Sequence, residues 1–245
     1  MIQKLLLQSI ISKYYLGINE SVKWVIKNNT LSIKFMSPNE DIIGEVTCSD
    51  FQFEDVELAI FNTHKLKNLT SVTSGELLLE LIKQNKLVTK LKISDMNFNL
   101  EFSLSDPLLI PKPKTVKDYD WEIILELTPE DISNLIKARS ALSDSSLMRI
   151  ETNKDLDKNL ICNFLFGESD DYSDKIAYQK SGNIKEELFR SIPFDSNTFK
   201  NILNSNKDAE VGYLKLFSGG LLNLSFERET VHSNYYMVRK EDTPF

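Results

Sequence analysis

The 245-residue sequence, with 41% hydrophobic and 27% charged residues, has the composition of a folded chain of one large or two modest domains. A formal net charge of -7 argues against a simple basic protein that binds nucleic acid over its whole surface. Cys48 and Cys162 lie far apart without CxxC spacing, which favours buried thiols over a disulfide or a metal site. Residues 1–11 are too short and too polar for a membrane span or a signal peptide, so we expect a cytoplasmic protein with no membrane partner.

The first half of the chain predicts one helix, four strands, a second helix and three strands. The first helix covers Ile2 to Tyr14 and contains no acidic residue on its polar side. The second begins at Asn62 or Thr63, both good N-caps, and continues through Val72. Alternating or apolar runs place the predicted strands at 21–27, 30–36, 41–49, 52–60, 76–82, 87–94 and 97–104.

A proline-rich stretch separates the two halves. Pro107, Pro111 and Pro113 interrupt both helix and central strand and favour an extended connector. We therefore predict an N-terminal domain at 1–106, a connector at 107–119 and a C-terminal domain at 120–245.

The second half repeats this order of elements. Thr128 is a good N-cap, Pro129 suits the first helical position, and the helix they begin continues to Leu142. A last helix, capped by Asp195 or Ser196, reaches Lys207. The strands of this half are predicted at 121–127, 146–151, 159–166, 173–180, 186–192, 210–217, 221–227 and 234–240. The shared order predicts an α+β protein with two tandem domains, each with two helices packed on antiparallel sheet.

Positive charge is concentrated in the four predicted helices. They contain eight basic and two acidic residues, a net charge of +6, which leaves -13 for the rest of the chain. Basic helices with Asn, Gln and Ser beside the lysines can contact phosphates without reading bases, in a salt-sensitive manner. The candidate DNA-binding residues are Lys4, Lys13, Lys65, Lys67, Lys137, Arg139, Lys200 and Lys207. The alternative is that these helices present a merely solvated face, and Arg139 lies close to the apolar stripe of its helix.

The sequence offers little for catalysis. It contains no GxxxxGK phosphate loop, no GxGxxG after a strand, no HExxH motif and no Cys/His cluster. Its two histidines, His64 and His232, lie at a predicted helix start and in a hairpin loop. We therefore expect no catalytic residues, no metal and no cofactor.

Three segments carry a resemblance to a known family: CSDFQFEDVELAIF at 48–61, TPEDISNLIKARSAL at 128–142, and the C-terminal segment from Tyr213. In this order they resemble the DNA polymerase sliding clamps, or processivity factors, and most closely the T4-type bacteriophage clamp. The resemblance covers nearly the whole chain. Two features depart from it: Arg139 comes one position early, and the loop 167–174 is acidic.

The resemblance implies a homotrimeric closed ring that encircles duplex DNA, is loaded by an ATP-driven clamp loader and tethers the replicative DNA polymerase. If the protein is viral, it would act in the host cell cytoplasm. Edge strands 97–104 and 173–180 of neighbouring subunits would then pair. The expected interface residues are Phe98, Phe102, Ile176 and Tyr178, unless these are ordinary core positions.

The same resemblance places partner proteins beside the connector and the C-terminal tail. Apolar residues stand there that a soluble monomer should seldom expose. The expected partner-binding residues are Leu108, Leu109, Ile110, Pro244 and Phe245. Local packing of the connector is the alternative for this set. For the whole protein, the alternative is a non-catalytic α+β scaffold or virion assembly protein.

Overall fold

The computed structural model describes residues 1–85, 87–117, 119–167 and 173–241. Two units can be separated in the chain. Unit 1 contains Met1–Thr115 and Glu229–Ser233, and unit 2 contains Val116–Arg228 and the described residues from Asn234 onward. The step from Thr115 to Val116 falls within the stretch 107–119.

Unit 1 contains two helices and two antiparallel sheets. Its elements are β1 (Ile2–Gln3), α1 (Lys4–Tyr15), β2 (Val22–Lys27), β3 (Thr30–Met36), β4 (Ile42–Cys48), β5 (Val56–Ile60), α2 (Thr63–Ser71), β6 (Glu76–Gln84), β7 (Leu87–Ser94) and β8 (Asn99–Ser103). One sheet has the strand order β1-β6-β7-β8, and the other has the order β5-β2-β3-β4. A 3₁₀ turn at Pro107–Leu109 follows β8.

Unit 2 repeats this plan. Its elements are β9 (Ile123–Leu127), α3 (Pro129–Ala141), β10 (Leu147–Lys154), β11 (Leu160–Phe166), β12 (Ile176–Lys180), β13 (Asn183–Ile184), β14 (Ile192–Asp195), α4 (Ser196–Ser205), β15 (Val211–Phe217), β16 (Leu221–Arg228) and β17 (Val231–Val238). The orders of its two sheets are β12-β11-β10-β14 and β13-β9-β15-β16-β17.

The helices pack in pairs, α1 beside α2 and α3 beside α4, because each has one apolar face. In α1 the buried face contains Leu7, Ile10, Ile11 and Tyr14, all without solvent exposure. Phe199, Ile202 and Leu203 form the equally buried face of α4, which contacts β10 and β14. The predicted α+β class, with two helices on antiparallel sheet in each half, is confirmed.

Besides shifted strand bounds, such as β5 beginning at Val56 and β17 at Val231, so that His232 lies in a strand instead of a hairpin loop, two predicted elements differ in kind from the structure. Ile2 and Gln3 form a strand instead of the first helical turn, because they pair with Leu77 and Glu76. The predicted strand 186–192 is wrong: the strand that pairs with β10 here is Ile192–Asp195. In the loop before it, the Leu188 amide donates to the Thr152 hydroxyl at 2.6 Å, so the loop is fastened by a side chain instead of a strand ladder.

Both cysteines are buried free thiols, as predicted. Burial raises the pKa of Cys162 to about 12 and also raises that of Cys48. Within the described ranges, no helix combines the length and apolar character needed to cross a bilayer. In the same residues, no three His, Cys, Asp or Glu side chains are grouped so as to hold a metal ion.

Candidate nucleic-acid interface

The outer face of α2 is polar and free of acidic residues. Asn62 caps the helix by accepting a hydrogen bond from the Lys65 amide at 2.7 Å. Leu66 faces inward and has no solvent exposure, so the side chains on the opposite side of the helix point to solvent. The exposed residues of the helix are His64, Lys65, Lys67, Asn68 and Ser71. Two lysines among short polar side chains form a face that can contact phosphates.

A side-chain network joins this face to the end of α1. The ammonium of Lys67 lies 5.6 Å from the ring centroid of Tyr15, within cation–π range. The Tyr15 hydroxyl lies 3.2 Å from Glu20 Oε1 and 3.2 Å from His64 Nδ1. Burial and the neighbouring Glu20 carboxylate raise the pKa of Tyr15, so its hydroxyl remains protonated. Tyr15 therefore positions Lys67, a role that helical periodicity alone does not indicate.

The second helix pair exposes fewer cations and more amides. On α3, Lys137 and Ser140 are exposed, and Lys200 on α4 is partly exposed. Lys207 is exposed just beyond the end of α4. The exposed amides of α4 are Asn197, Asn201 and Asn204. Glu130 is the exposed acid of these two helices, and it lies in the first turn of α3.

Two of the eight predicted DNA-binding residues are wrong, because their side chains are buried. Lys13 is 2% exposed and Arg139 is 3% exposed. The Arg139 guanidinium donates to the main-chain oxygens of Leu142 and Ser143 at 2.5 and 3.3 Å. It thereby binds the turn that follows α3 back onto the helix. Their burial leaves neither side chain exposed for contact with DNA.

Lys4 is also used within its own unit. Its ammonium donates to the main-chain oxygens of Ser71, at 2.9 Å, and Thr73. These carbonyls lie at the C-terminal end of α2, where the helix dipole favours a positive charge. Lys4 therefore braces α1 against α2, and we remove it from the proposed contact set.

The carboxylate of Asp131 has four hydrogen-bond donors in unit 2. Its carboxylate accepts hydrogen bonds from Tyr178 at 2.5 Å, from Lys180 at 2.7 Å, and from the amide and hydroxyl of Thr128, both at 2.7 Å. Burial alone would raise the pKa of Asp131, but these four hydrogen bonds outweigh it and lower the pKa to about 2. The carboxylate therefore stays charged, and it is buried and paired with the Lys180 ammonium instead of lying exposed on α3.

The strands predicted to form the subunit interface are the edge strands of their sheets. β8 pairs with β7 at the end of one sheet, and β12 pairs with β11 at the end of another. Phe98 is 42% exposed, and Ile176 and Tyr178 are partly exposed. Phe102 is 2% exposed, so its predicted interface role is wrong and it is a core residue.

The predicted partner-binding residues also include both exposed and buried side chains. Leu108 and Leu109 are 90% and 66% exposed on the 3₁₀ turn, whose first amide is capped by the Asp106 carboxylate at 2.8 Å. Ile110 is 6% exposed and anchors the turn, so its predicted contact role is wrong. Pro244 and Phe245 lie outside the described residues.

One candidate surface was missed by the sequence reasoning. Tyr119, Trp121 and Phe217 form a partly exposed aromatic cluster in unit 2, with the Tyr119 ring centroid 5.8 and 5.0 Å from those of Trp121 and Phe217. The available signal was alternation, because Phe217 follows the buried Leu216 on β15 and so faces outward.

Solved structures of known proteins share this architecture. The crystal structure of proliferating cellular nuclear antigen (PCNA) from Entamoeba histolytica is similar over 98% of this chain and 96% of that one, with a TM-score of 0.75 and 13% identity. PCNA from A. fulgidus, solved with the C-terminal region of FEN-1 bound, is similar over 99% and 98%, with a TM-score of 0.77 and 14% identity. No family model matches the sequence, and no curated protein is significantly similar to it.

The chain has the sliding-clamp fold. The likeness extends over both units, so the predicted tandem arrangement of clamp-type domains is confirmed. Within this clamp fold, the exposed cations of the predicted set are Lys65, Lys67, Lys137 and Lys207, with Lys4 and Lys200 partly exposed.

Proposed function

We propose that this protein is a DNA sliding clamp that encircles duplex DNA as a closed homotrimeric ring and tethers the replicative DNA polymerase. The observation that carries the proposal is the full-length similarity to two PCNA structures in a chain whose helices expose lysines and few acids. The role is non-catalytic and needs no cofactor. In this proposal an ATP-driven clamp loader places the ring on DNA.

The proposed DNA contacts are Lys65, Lys67, Lys137, Lys200 and Lys207. Their neighbours on the helices are mostly Asn and Ser, which donate to phosphates and carry no base-specific pattern here. Because the whole chain has a net charge of -7, we expect the net positive helical faces to attract DNA more strongly than the rest of the surface. We therefore expect contact that is independent of base sequence and weakened by salt.

Partner proteins are proposed to dock beside the connector with short peptide segments. The A. fulgidus structure contains the C-terminal region of FEN-1 bound to PCNA, which supports this mode of docking. In this chain, Leu108 and Leu109 offer exposed apolar side chains on the 3₁₀ turn of the connector. Deletion of Pro244 and Phe245 is expected to reduce polymerase stimulation more than ring stability.

The resemblance of the sequence to the T4-type bacteriophage clamp extends the proposal to a viral protein that acts in the host cell cytoplasm. Its three segments are 48–61, 128–142 and the C-terminal stretch from Tyr213. Stimulation of a T4-type polymerase in preference to a cellular one would test this extension.

Sedimentation equilibrium tests the ring first. A trimer has a mass of about 85 kDa, three times that of the 28.2-kDa chain. Loaded clamp should then remain on circular DNA and slide off when the circle is cut. A monomer without loader-dependent retention would instead support a scaffold or virion assembly protein with a solvated basic face.

A further inference from the structure

Among the described residues, the edge strand β12 has a backbone ladder on one side only. It pairs with β11 from Ile176 to Lys180, and it ends its sheet. An edge strand lacks a second ladder, so its shape depends more on its side chains than that of an inner strand does.

Two side chains of β12 meet at one carboxylate on the neighbouring helix. Tyr178 and Lys180 are two residues apart and therefore project to the same face of the sheet. The Tyr178 hydroxyl donates to Asp131 Oδ1 at 2.5 Å, and the Lys180 ammonium donates to Oδ2 at 2.7 Å. The exposed fractions of the Asp131 and Lys180 side chains are 8% and 22%, so water competes little for these bonds.

The carboxylate is itself fixed in place. Asp131 and Thr128 form a capping box at the start of α3, in which each side chain bonds the other residue's amide. The Asp131 oxygens cannot move without breaking the helix cap. Strand β12 is consequently attached to a rigid point on α3 instead of to a mobile surface residue.

We propose that Asp131 is a positioning residue for subunit assembly: it holds β12 against α3 so that the open edge keeps one shape for pairing with a second copy of the chain. This inference rests on the proposed ring. It also changes the expected role of Tyr178, whose hydroxyl turns toward α3 instead of toward a neighbouring subunit. Ala177 and Gln179, exposed on the opposite face of β12, remain available.

The test measures amide hydrogen exchange and association in the same variants. Asp131→Ala removes both the cap and the attachment, whereas Lys180→Met weakens the attachment and leaves Thr128 and Asp131 in place. Both should speed exchange of amides 176–180 about tenfold and raise the concentration for half-dissociation of the trimer by about tenfold or more.

The matched control is Asp195→Ala. Asp195 caps α4 by accepting from the Thr198 amide at 2.7 Å, and among its contacts in the described chain none is with β12. This variant should lose a comparable helix cap. Its amide exchange rates in β12 and its concentration for half-dissociation of the trimer should stay within about twofold of the wild-type values.

The outcomes separate the two proposals. A wild-type chain that stays monomeric at roughly 100 μM overturns the ring itself. A trimeric wild type with unchanged β12 exchange in Asp131→Ala, or with the same loss of association in Asp195→Ala, overturns only the role of Asp131.

Discussion

The guanidinium of Arg139 donates a hydrogen bond to Asn197 Oδ1 at 2.8 Å and so joins the end of α3 to the first turn of α4. The same side chain also binds two main-chain oxygens beyond the helix. A cation that looked available for DNA is therefore a brace between two helices, whereas Lys137, two residues earlier, is exposed.

Arg139→Met is expected to lower the free energy of unfolding by about 2 kcal/mol, because it removes the hydrogen bonds that the buried guanidinium donates to Leu142, Ser143 and Asn197. Lys137→Met, on the same helix, should change it by less than about 0.5 kcal/mol. Urea denaturation of both variants measures the difference. Equal stability of the two would show that the Arg139 contacts contribute nothing.

The double variant Lys65→Gln and Lys67→Gln should weaken direct binding to duplex DNA. Each phosphate contact contributes about 0.9 to the slope of log affinity against log salt, so the slope should fall by about 2. Fluorescence anisotropy across a salt series measures it. The control changes Lys23 and Lys34 to Gln, since these lie on β2 and β3 and pair with Glu57 and Glu45. A slope reduced as much in the control would contradict a specific role for α2.

Asp131 should make the stability of unit 2 depend on pH in the acidic range. Its pKa is lowered from 3.8 to about 2, so the folded state binds this proton less readily than the unfolded state. The ionised Asp131 carboxylate therefore contributes about 2 kcal/mol to the free energy of unfolding. This contribution is present above about pH 4 and is lost as the pH falls toward 2. Denaturation at pH 5 and at pH 2.5 should show this loss in the wild type. Between pH 5 and pH 2.5, the free energy of unfolding of Asp131→Asn should fall by about 2 kcal/mol less than that of the wild type. The same pH dependence in both proteins would show that Asp131 does not cause it.

Replacing Leu108 and Leu109 together by Ala should reduce polymerase stimulation. The free energy of unfolding should stay within about 0.5 kcal/mol of the wild-type value, because both side chains are mostly exposed. Ile110→Ala should instead cost about 2–4 kcal/mol of stability, since it empties a buried site. Processivity assays and denaturation measure the two effects. Normal stimulation by the double variant would remove the turn from the partner surface.

Phe98→Ala should raise the trimer dissociation constant with little change in subunit stability, because Phe98 is 42% exposed and immediately precedes β8. Phe102→Ala should destabilise the subunit by about 3–5 kcal/mol, as expected for a buried aromatic residue. Sedimentation and denaturation together separate association from folding. Strong unfolding caused by Phe98→Ala would place that residue in the core as well.

Most elements were predictable because their signals are local. The ends of β3 at Thr30–Met36 and of β7 at Leu87–Ser94 agree with the predicted strands, since alternation and turn residues mark both. Thr128 caps α3 as predicted. The strand predicted at 186–192 failed because a few apolar residues such as Leu188, Phe189 and Ile192 do not show whether a partner strand is present.

The residues of the sequence were enough to establish the order of helices and strands, the capped start of α3 and the net positive charge of the helical segments, because those features depend on residues close together in the chain. Packing between distant segments established which cations reach solvent and which edges stay open. Lys13, Arg139 and Tyr178 show the reason: the contacts or burial of each depend on groups that chain folding brings together, and periodicity carries no information about them.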